Sequence, residues 1–217
     1  MSNKLLFIKP DLNLNEKLSI VGSSGSLNGS KLGSKIDMSV DVIRFNTATT
    51  KNFEEDVGSK TTYRAVNNVV FDNNDLSKKG YTGSKKNFIK KLRNNKIIYI
   101  GPDQSPWENR NKNSHKSNEL FLFDYDKIPL IKKYLNCSFS QNLQIGTIVI
   151  ATCLMSGLTP TIYGFDLSEK KRTHYYENRP SDFDRINHNV IEENIAIKKL
   201  IESGKIKYID SQLWVLE

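Results

Sequence analysis

Cysteine, histidine and long apolar runs are all scarce in this chain. Its 217 residues include two cysteines, Cys137 and Cys153. Two cannot build a disulfide framework, and their separation does not match a metal knuckle, so a reducing compartment is expected. No stretch approaches the roughly 20 apolar residues of a membrane span, and Met1 to Pro10 carries only the short run Leu5 to Ile8. Neither a signal peptide nor a transmembrane anchor is expected. The three histidines, His115, His174 and His188, confine any imidazole chemistry to a few places. Internal repeats, low-complexity tracts and a convincing domain boundary are also missing, so one domain of ordinary size is expected.

What is abundant is positive charge. Lys and Arg number 32 against 24 Asp and Glu, a net +8, which draws anions such as phosphates, nucleic acid or acidic lipid headgroups. Hydrophobic residues make up 37% and mean hydropathy is -0.51, values of a folding chain with a wet surface. Much of that polarity is Lys and Asn, which AT-rich codon usage alone produces. The motifs must therefore carry the functional reading.

Short β-branched runs alternate with amphipathic stretches, the pattern of an α/β domain with a mostly parallel sheet. Strands are predicted over Leu18 to Val21, Asp41 to Phe45, Thr62 to Val66, Lys96 to Ile100, Thr159 to Tyr163 and Lys205 to Ile209. Helices are predicted over Ser84 to Asn94, Asp126 to Leu135, an all-round apolar Gln144 to Met155, and Asn187 to Ser203 stopping at Gly204. Two long polar segments, Pro102 to Asn118 and Asp166 to Arg185, have the length of binding loops or lids.

Three constellations could carry chemistry. Val21 to Gly29 reads Val-Gly-Ser-Ser-Gly-Ser-Leu-Asn-Gly directly after a predicted strand. Its glycines admit a ligand close to backbone amides and its serines add donors, which suits a phosphate or ribose. It is neither a Walker A loop nor the dinucleotide fingerprint. The second constellation is histidine: His174 lies among aromatics in the candidate lid, and His188 is expected in the first turn of the last helix. There the dipole favours a neutral ring that can act as a base. The third is Asp124-Tyr125-Asp126, a pair of carboxylates suited to a hard cation, with Asp126 also placed to cap the following helix.

In order and spacing these segments resemble the animal-type sialyltransferases, a family of inverting enzymes that use CMP-sialic acid. Ile20 to Asn46, closing on Val42-Ile43-Arg44-Phe45-Asn46 and continued by Phe53 to Thr62, resembles the large sialylmotif. Leu143 to Phe165 is similar to the small motif, His174-Tyr175-Tyr176-Glu177-Asn178 to motif three, and His188 with Glu193 to the very short H-x4-E pattern. The likeness runs from about residue 18 to 210 and implies a Rossmann-like, GT-A variant glycosyltransferase fold forming a single catalytic domain.

The resemblance also implies a chemistry. A CMP-sugar donor would sit on Gly22, Ser23, Ser24, Gly25, Ser26, Asn46, Gly146, Tyr163, Gly164, Phe165 and Tyr175. His188 would be the base, and His174, aided by Tyr175, would bind the leaving phosphate from a lid that closes over bound donor. No cofactor or metal is expected, and the acceptor would be a glycan or lipid-linked glycan. A cytoplasmic enzyme is expected, with peripheral contact at the inner membrane face, as in bacterial surface-glycan assembly or a viral counterpart. The sugar could be sialic acid or a relative such as Kdo. Glu193, about 140° around an ideal helix from His188, would brace a neighbouring loop rather than touch the ring.

Departures accompany the matches. Serines stand at 23 and 26 where the family usually has asparagines, and Leu143-Gln144-Ile145-Gly146 replaces the usual Pro-Ser-Thr-Gly. The family's bridging cysteines fall on Leu18 and Gly157, a joint loss that agrees with a cytosolic setting. Rival readings are a metal-dependent transferase of a nucleoside-diphosphate sugar using Asp124 and Asp126, a non-catalytic nucleotide binder, and a nucleic-acid binder with Pro102 to Asn118 as an arm. Against the last, basic residues are spread along the chain and no nucleic-acid module is legible, so no nucleic-acid partner is expected.

Overall fold

A computed structural model describes residues 7–9, 12–67, 95–102, 120–168, 174–176 and 188–210. The predicted helix Ser84 to Asn94, His115 and most of both long polar segments lie outside those residues. Within them, strands β1 (Phe7–Lys9), β2 (Leu18–Val21), β3 (Asp41–Phe45), β4 (Tyr63–Asn67), β5 (Lys96–Ile100), β6 (Leu120–Phe123), β7 (Thr161–Tyr163) and β8 (Lys207–Ile209) form one sheet. Its order is β1-β6-β5-β4-β3-β2-β7-β8. Seven strands run parallel, and only β1, paired with β6 at one edge, is antiparallel. The mostly parallel α/β architecture is the one expected.

From β2 the chain steps outward through β3, β4, β5 and β6, then crosses back to place β7 on the other side of β2. That reversal opens a crevice at the carboxyl ends of β2, β3 and β7, where open α/β sheets bind ligands. Val21 pairs with both Arg44 and Tyr163, so the three strand ends lie level.

Both faces of the sheet are covered, which explains why the strands read as continuous apolar runs rather than alternating ones. Ile20, Ile43 and Ile98 face a large core closed by α3 (Ile128–Leu135), α4 (Ile145–Met155) and α5 (Val190–Glu202). Val21, Val42 and Tyr163 face a smaller core under α1 (Gly33–Asp37) and α2 (Glu54–Val57). Helix α4 is buried along most of its length, as its uniform hydrophobicity requires. Among the described residues no helix is long and apolar enough to cross a membrane.

Several boundaries differ from expectation for identifiable reasons. β7 starts after Pro160, which has no N–H to donate to a ladder. Leu120–Phe123 is a strand although only four residues long. The helix expected from Asp126 begins at Ile128, because Asp124 caps a turn of 3-10 helix by accepting the Asp126 N–H at 3.2 Å. Asp124, not Asp126, is thus the cap. Helix α5 begins at Val190, capped by Asn189, whose Oδ1 accepts the Glu192 N–H at 3.3 Å. His188 therefore precedes the cap instead of lying in the first turn.

Candidate active site

The glycine-serine turn prolongs the β2–β7 ladder past its last strand residues. Gly22 N–H donates to the Tyr163 carbonyl at 2.8 Å and Ser24 N–H to the Gly164 carbonyl at 3.0 Å. The two backbones are so close that a Cβ on Gly22 would collide with the Gly164 carbonyl oxygen and one on Gly164, at φ +62, with the Leu27 side chain. Ser24 Oγ then accepts the Ser26 N–H at 3.1 Å and caps the 3-10 turn Gly25–Leu27. Among the described residues, the N–H groups of Ser23 and Gly25 and the hydroxyls of Ser23 and Ser26 hold no protein partner. Open donors of this kind on one turn suit an anion.

A second segment is docked on that turn. Ser24 and His174 form an antiparallel bridge, and Tyr175 N–H donates to the Ser23 carbonyl at 3.0 Å. Asn28 Nδ2 donates to the Tyr175 carbonyl at 3.3 Å. The Tyr175 ring is 3% exposed, meets Phe53 edge-on at 5.2 Å, and its hydroxyl donates to the Thr49 carbonyl at 2.6 Å. Burial pushes this phenol up, an effect that Arg44 and Arg64 partly offset. Residues 174–176 thus form a strap held by backbone and by one buried anchor. The His174 ring stacks on Tyr176 at 5.2 Å and 16°.

Asn46, at the end of β3, has φ +39, a left-handed conformation that Asn tolerates better than most residues. Its Oδ1 accepts the Asn67 N–H at 3.2 Å. A backbone N–H can only donate, so this bond turns the amide NH2 the other way, and that group has no protein partner among the described residues. The open end of Asn46 is a donor.

His188 presents the opposite polarity. Its Nδ1 lies 2.7 Å from the Asn142 carbonyl oxygen. A carbonyl only accepts, so Nδ1 carries the hydrogen, and in the neutral ring Nε2 is a bare acceptor. Five residues on, the Glu193 carboxylate, with no exposed surface, accepts the Gln144 N–H at 3.0 and 3.2 Å and the Thr147 hydroxyl. It sits at the N-terminal end of α4, where a negative charge is favoured by the helix dipole. Both ends of the H-x4-E pattern therefore grip one segment, 142–147, and Glu193 braces a neighbour without touching the imidazole.

Phe165 joins the two halves of the site. Positions built from Gly22 and Gly146 would come within 3.3 and 2.9 Å of its ring, and it packs edge-on against Phe45 at 6.1 Å. The glycine-serine turn and the start of α4 are thus one aromatic ring apart. Of the residues predicted to touch a donor, Gly22 to Ser26, Asn46, Gly146, Gly164 and Phe165 gather at this sheet end. The phenol of Tyr163 is turned into the smaller core instead, 3% exposed and pushed up by burial. Tyr175 is likewise spent on packing. Asp124 and Asp126 lie at the end of β6, four strands from β2 in the sheet order. Asp124 there serves as a cap and sits 3.7 Å from Lys127. Among the described residues no group of three or more His, Cys, Asp or Glu could hold a metal ion.

Sequence reasoning missed two buried arginines. Arg44, fully buried, donates through Nε to the Lys60 carbonyl at 3.0 Å and through Nη2 to the Val57 carbonyl, and desolvation lowers it to about 10. Arg64 donates through Nη1 to the Asn46 and Ala48 carbonyls at 3.0 and 2.9 Å. The signal was an arginine inside each of two strands whose other residues are mainly apolar.

The family model described as glycosyltransferase family 29 (sialyltransferase) matches residues 13–205. The beta-galactoside alpha-2,6-sialyltransferase 1 of Homo sapiens is 34% identical over 122 residues, covering 42% of this chain and 30% of the human protein. The Mus musculus protein of that name is 55% identical over 51 residues, 24% of this chain and 13% of its own. The matched region thus spans less than a third of either relative. A crystal structure of a mammalian sialyltransferase superposes with a TM-score of 0.64 at 21% identity, covering 89% of this chain and 68% of that one. At that identity the likeness is one of fold.

Proposed function

Because the chain belongs to glycosyltransferase family 29, the sialyltransferases, we propose that it transfers sialic acid, or a related acid such as Kdo, from a CMP-linked donor to a glycan hydroxyl with inversion. The observation that supports this reading is a difference in polarity between two sets of groups. Donors at Ser23, Gly25, Ser26 and Asn46 hold no protein partner among the described residues, while His188, with Nδ1 on the Asn142 carbonyl just before α4, offers Nε2 as an acceptor, and the Phe165 ring links the turn to the start of α4.

The donors suit the phosphate and ribose of CMP, and the acceptor suits the proton of an attacking hydroxyl. In the proposed reaction the acceptor oxygen bonds to the anomeric carbon as the bond from that carbon to the phosphate oxygen breaks. The hydroxyl proton passes to His188 Nε2. The imidazolium so formed is stabilised by the Asn142 carbonyl on Nδ1, which keeps its hydrogen throughout. Charge that accumulates on departing CMP is met by the turn amides, the Asn46 amide and His174, preorganised groups of the kind that contribute most to catalysis. Tyr175 contributes by holding the strap, not by touching phosphate. The leaving group is a monophosphate, and we propose that no metal takes part.

The test is to incubate the protein with CMP-sialic acid and CMP-Kdo separately, each with and without EDTA, and measure CMP release over spontaneous hydrolysis. Release from one donor names the sugar class. Release from neither refutes the proposal, and release abolished by EDTA alone favours a metal-assisted route.

A further inference from the structure

We infer that Arg64 is a positioning residue. It sets the turn at 46–49, and that one turn both aims the Asn46 amide at the donor and anchors the strap carrying His174. The inference rests on the proposed CMP-sugar reading for its catalytic consequence, though not for the tether itself.

The geometry runs through consecutive peptides. Arg64 Nη1 draws the carbonyls of Asn46 and Ala48 toward one nitrogen, at 3.0 and 2.9 Å. Two carbonyls separated by one residue converge on a single nitrogen only if the chain turns there, and it does: the Ala48 N–H closes a turn on the Phe45 carbonyl at 3.0 Å, which Asn46 enters left-handed at φ +39. Outside glycine that conformation persists when surrounding contacts over-determine it. Here the contacts are Arg64 on the Asn46 carbonyl, the Asn67 N–H on its side-chain oxygen at 3.2 Å, and its own N–H on the Ala65 carbonyl at 2.8 Å. All three come from β4. The next peptide presents the Thr49 carbonyl to the Tyr175 hydroxyl at 2.6 Å. The strap's backbone rests on Ser23, so a shift in Thr49 reaches His174 through Tyr175.

Arginine is suited to this task. Its guanidinium has five donors and no acceptor, in a planar array that directs two N–H bonds from one nitrogen. A lysine keeps the charge without the planar fork. At 9% exposure, Arg64 also keeps these bonds away from competing water.

The test uses Arg64→Lys and Tyr175→Phe in the full chain. Amide hydrogen exchange is read without any ligand. In Arg64→Lys the Tyr175 N–H is expected to exchange at least about tenfold faster than in the parent, while the Ile43 amide in β3 keeps its protection. Tyr175→Phe should reproduce the faster exchange in the strap while leaving the Asn67 N–H unchanged, and it serves if Arg64→Lys does not fold. Kinetically, Arg64→Lys should raise the CMP-sugar KM and lower kcat, each by about tenfold. Tyr175→Phe should lower kcat with little change in KM, and the double variant should lose less kcat than the product of the two. Unchanged strap exchange in the variants, or KM and kcat within twofold of the parent in a folded Arg64→Lys, overturns the inference. A parent that releases no CMP from either donor overturns the transferase reading alone, since the exchange result still judges the tether.

Discussion

Replacing Glu193 tests whether the H-x4-E pattern is a clamp on the start of α4. The carboxylate is fully buried and accepts from Gln144 N–H and Thr147 Oγ1. A hydrogen bond to a charged acceptor contributes roughly 1.5–3 kcal/mol, so Glu193→Ala, which leaves both donors unmatched, should cost about 3–6 kcal/mol. A domain of this size loses roughly 2–4 °C per kcal/mol, which puts the expected fall in Tm on the order of 10 °C. Glu193→Gln keeps the volume and one acceptor but loses the charge. Neutral hydrogen bonds are about half as strong, so roughly half the loss is expected. Thermal melts and urea midpoints read both, with Glu202→Ala, an exposed change on the same helix, as the control. Asn142 lies two residues before Gln144, so Glu193→Gln should also displace the carbonyl that orients His188 and lower kcat. A Glu193→Ala protein that melts within about 2 °C of the parent would refute the clamp.

Further outcomes follow from the same geometry. His188→Ala should lower kcat/KM by about 10² to 10⁴-fold with a change in Tm of no more than a few degrees; near-parental turnover removes it from the role of base. Gly22→Ala forces a Cβ into the Gly164 carbonyl, and overpacking of this kind costs typically ~1–3 kcal/mol. Calorimetry should show weaker CMP binding even at temperatures where the variant is folded, and parental affinity would contradict the site. Burial pushes the Cys153 thiol up to about 12, so the folded chain holds a proton that the unfolded chain releases near pH 8.5. Stability is then intact below that pH and falls by about 1.4 kcal/mol per unit above it. Urea midpoints of Cys153→Ala should decline less steeply between pH 8.5 and 11 than those of the parent, and parallel slopes would show that the thiol contributes nothing.

How much of this was legible in the chain depended on periodicity and on partners. Strands such as Asp41–Phe45 and Lys96–Ile100 read correctly because two-sided burial puts β-branched residues side by side, Val42-Ile43 and Ile97-Ile98, instead of alternating them with polar ones. Helices α1 and α2, five and four residues long, are too short to show a period. The position of His188 slipped because Asn187 and Asn189 are both plausible caps, and only the bond from Asn189 to Glu192 N–H chooses between them. Glu193 braces a neighbouring segment as expected, but the helical angle expected between it and His188 does not apply, since His188 lies ahead of the Asn189 cap. The direction of Tyr175 was not legible. It lies outside regular structure, where nothing in the neighbouring residues says whether a ring faces ligand or core. Arg64 was hidden because its partners are main-chain carbonyls, which leave no trace in residue types.

The continuation of the β2–β7 ladder into the glycine-serine turn bears on the thermodynamics of recognition. Groups fixed as firmly as a central strand give up little freedom when a nucleotide settles on them, so the ordering cost that limits many loop-built sites was met when the chain folded. Selectivity on this side should come from mismatch that cannot relax, with a poorly fitting base or sugar rejected instead of accommodated. Exchange of donor preference by substitution would then be easier on the strap or the 142–147 segment than on the rigid wall itself.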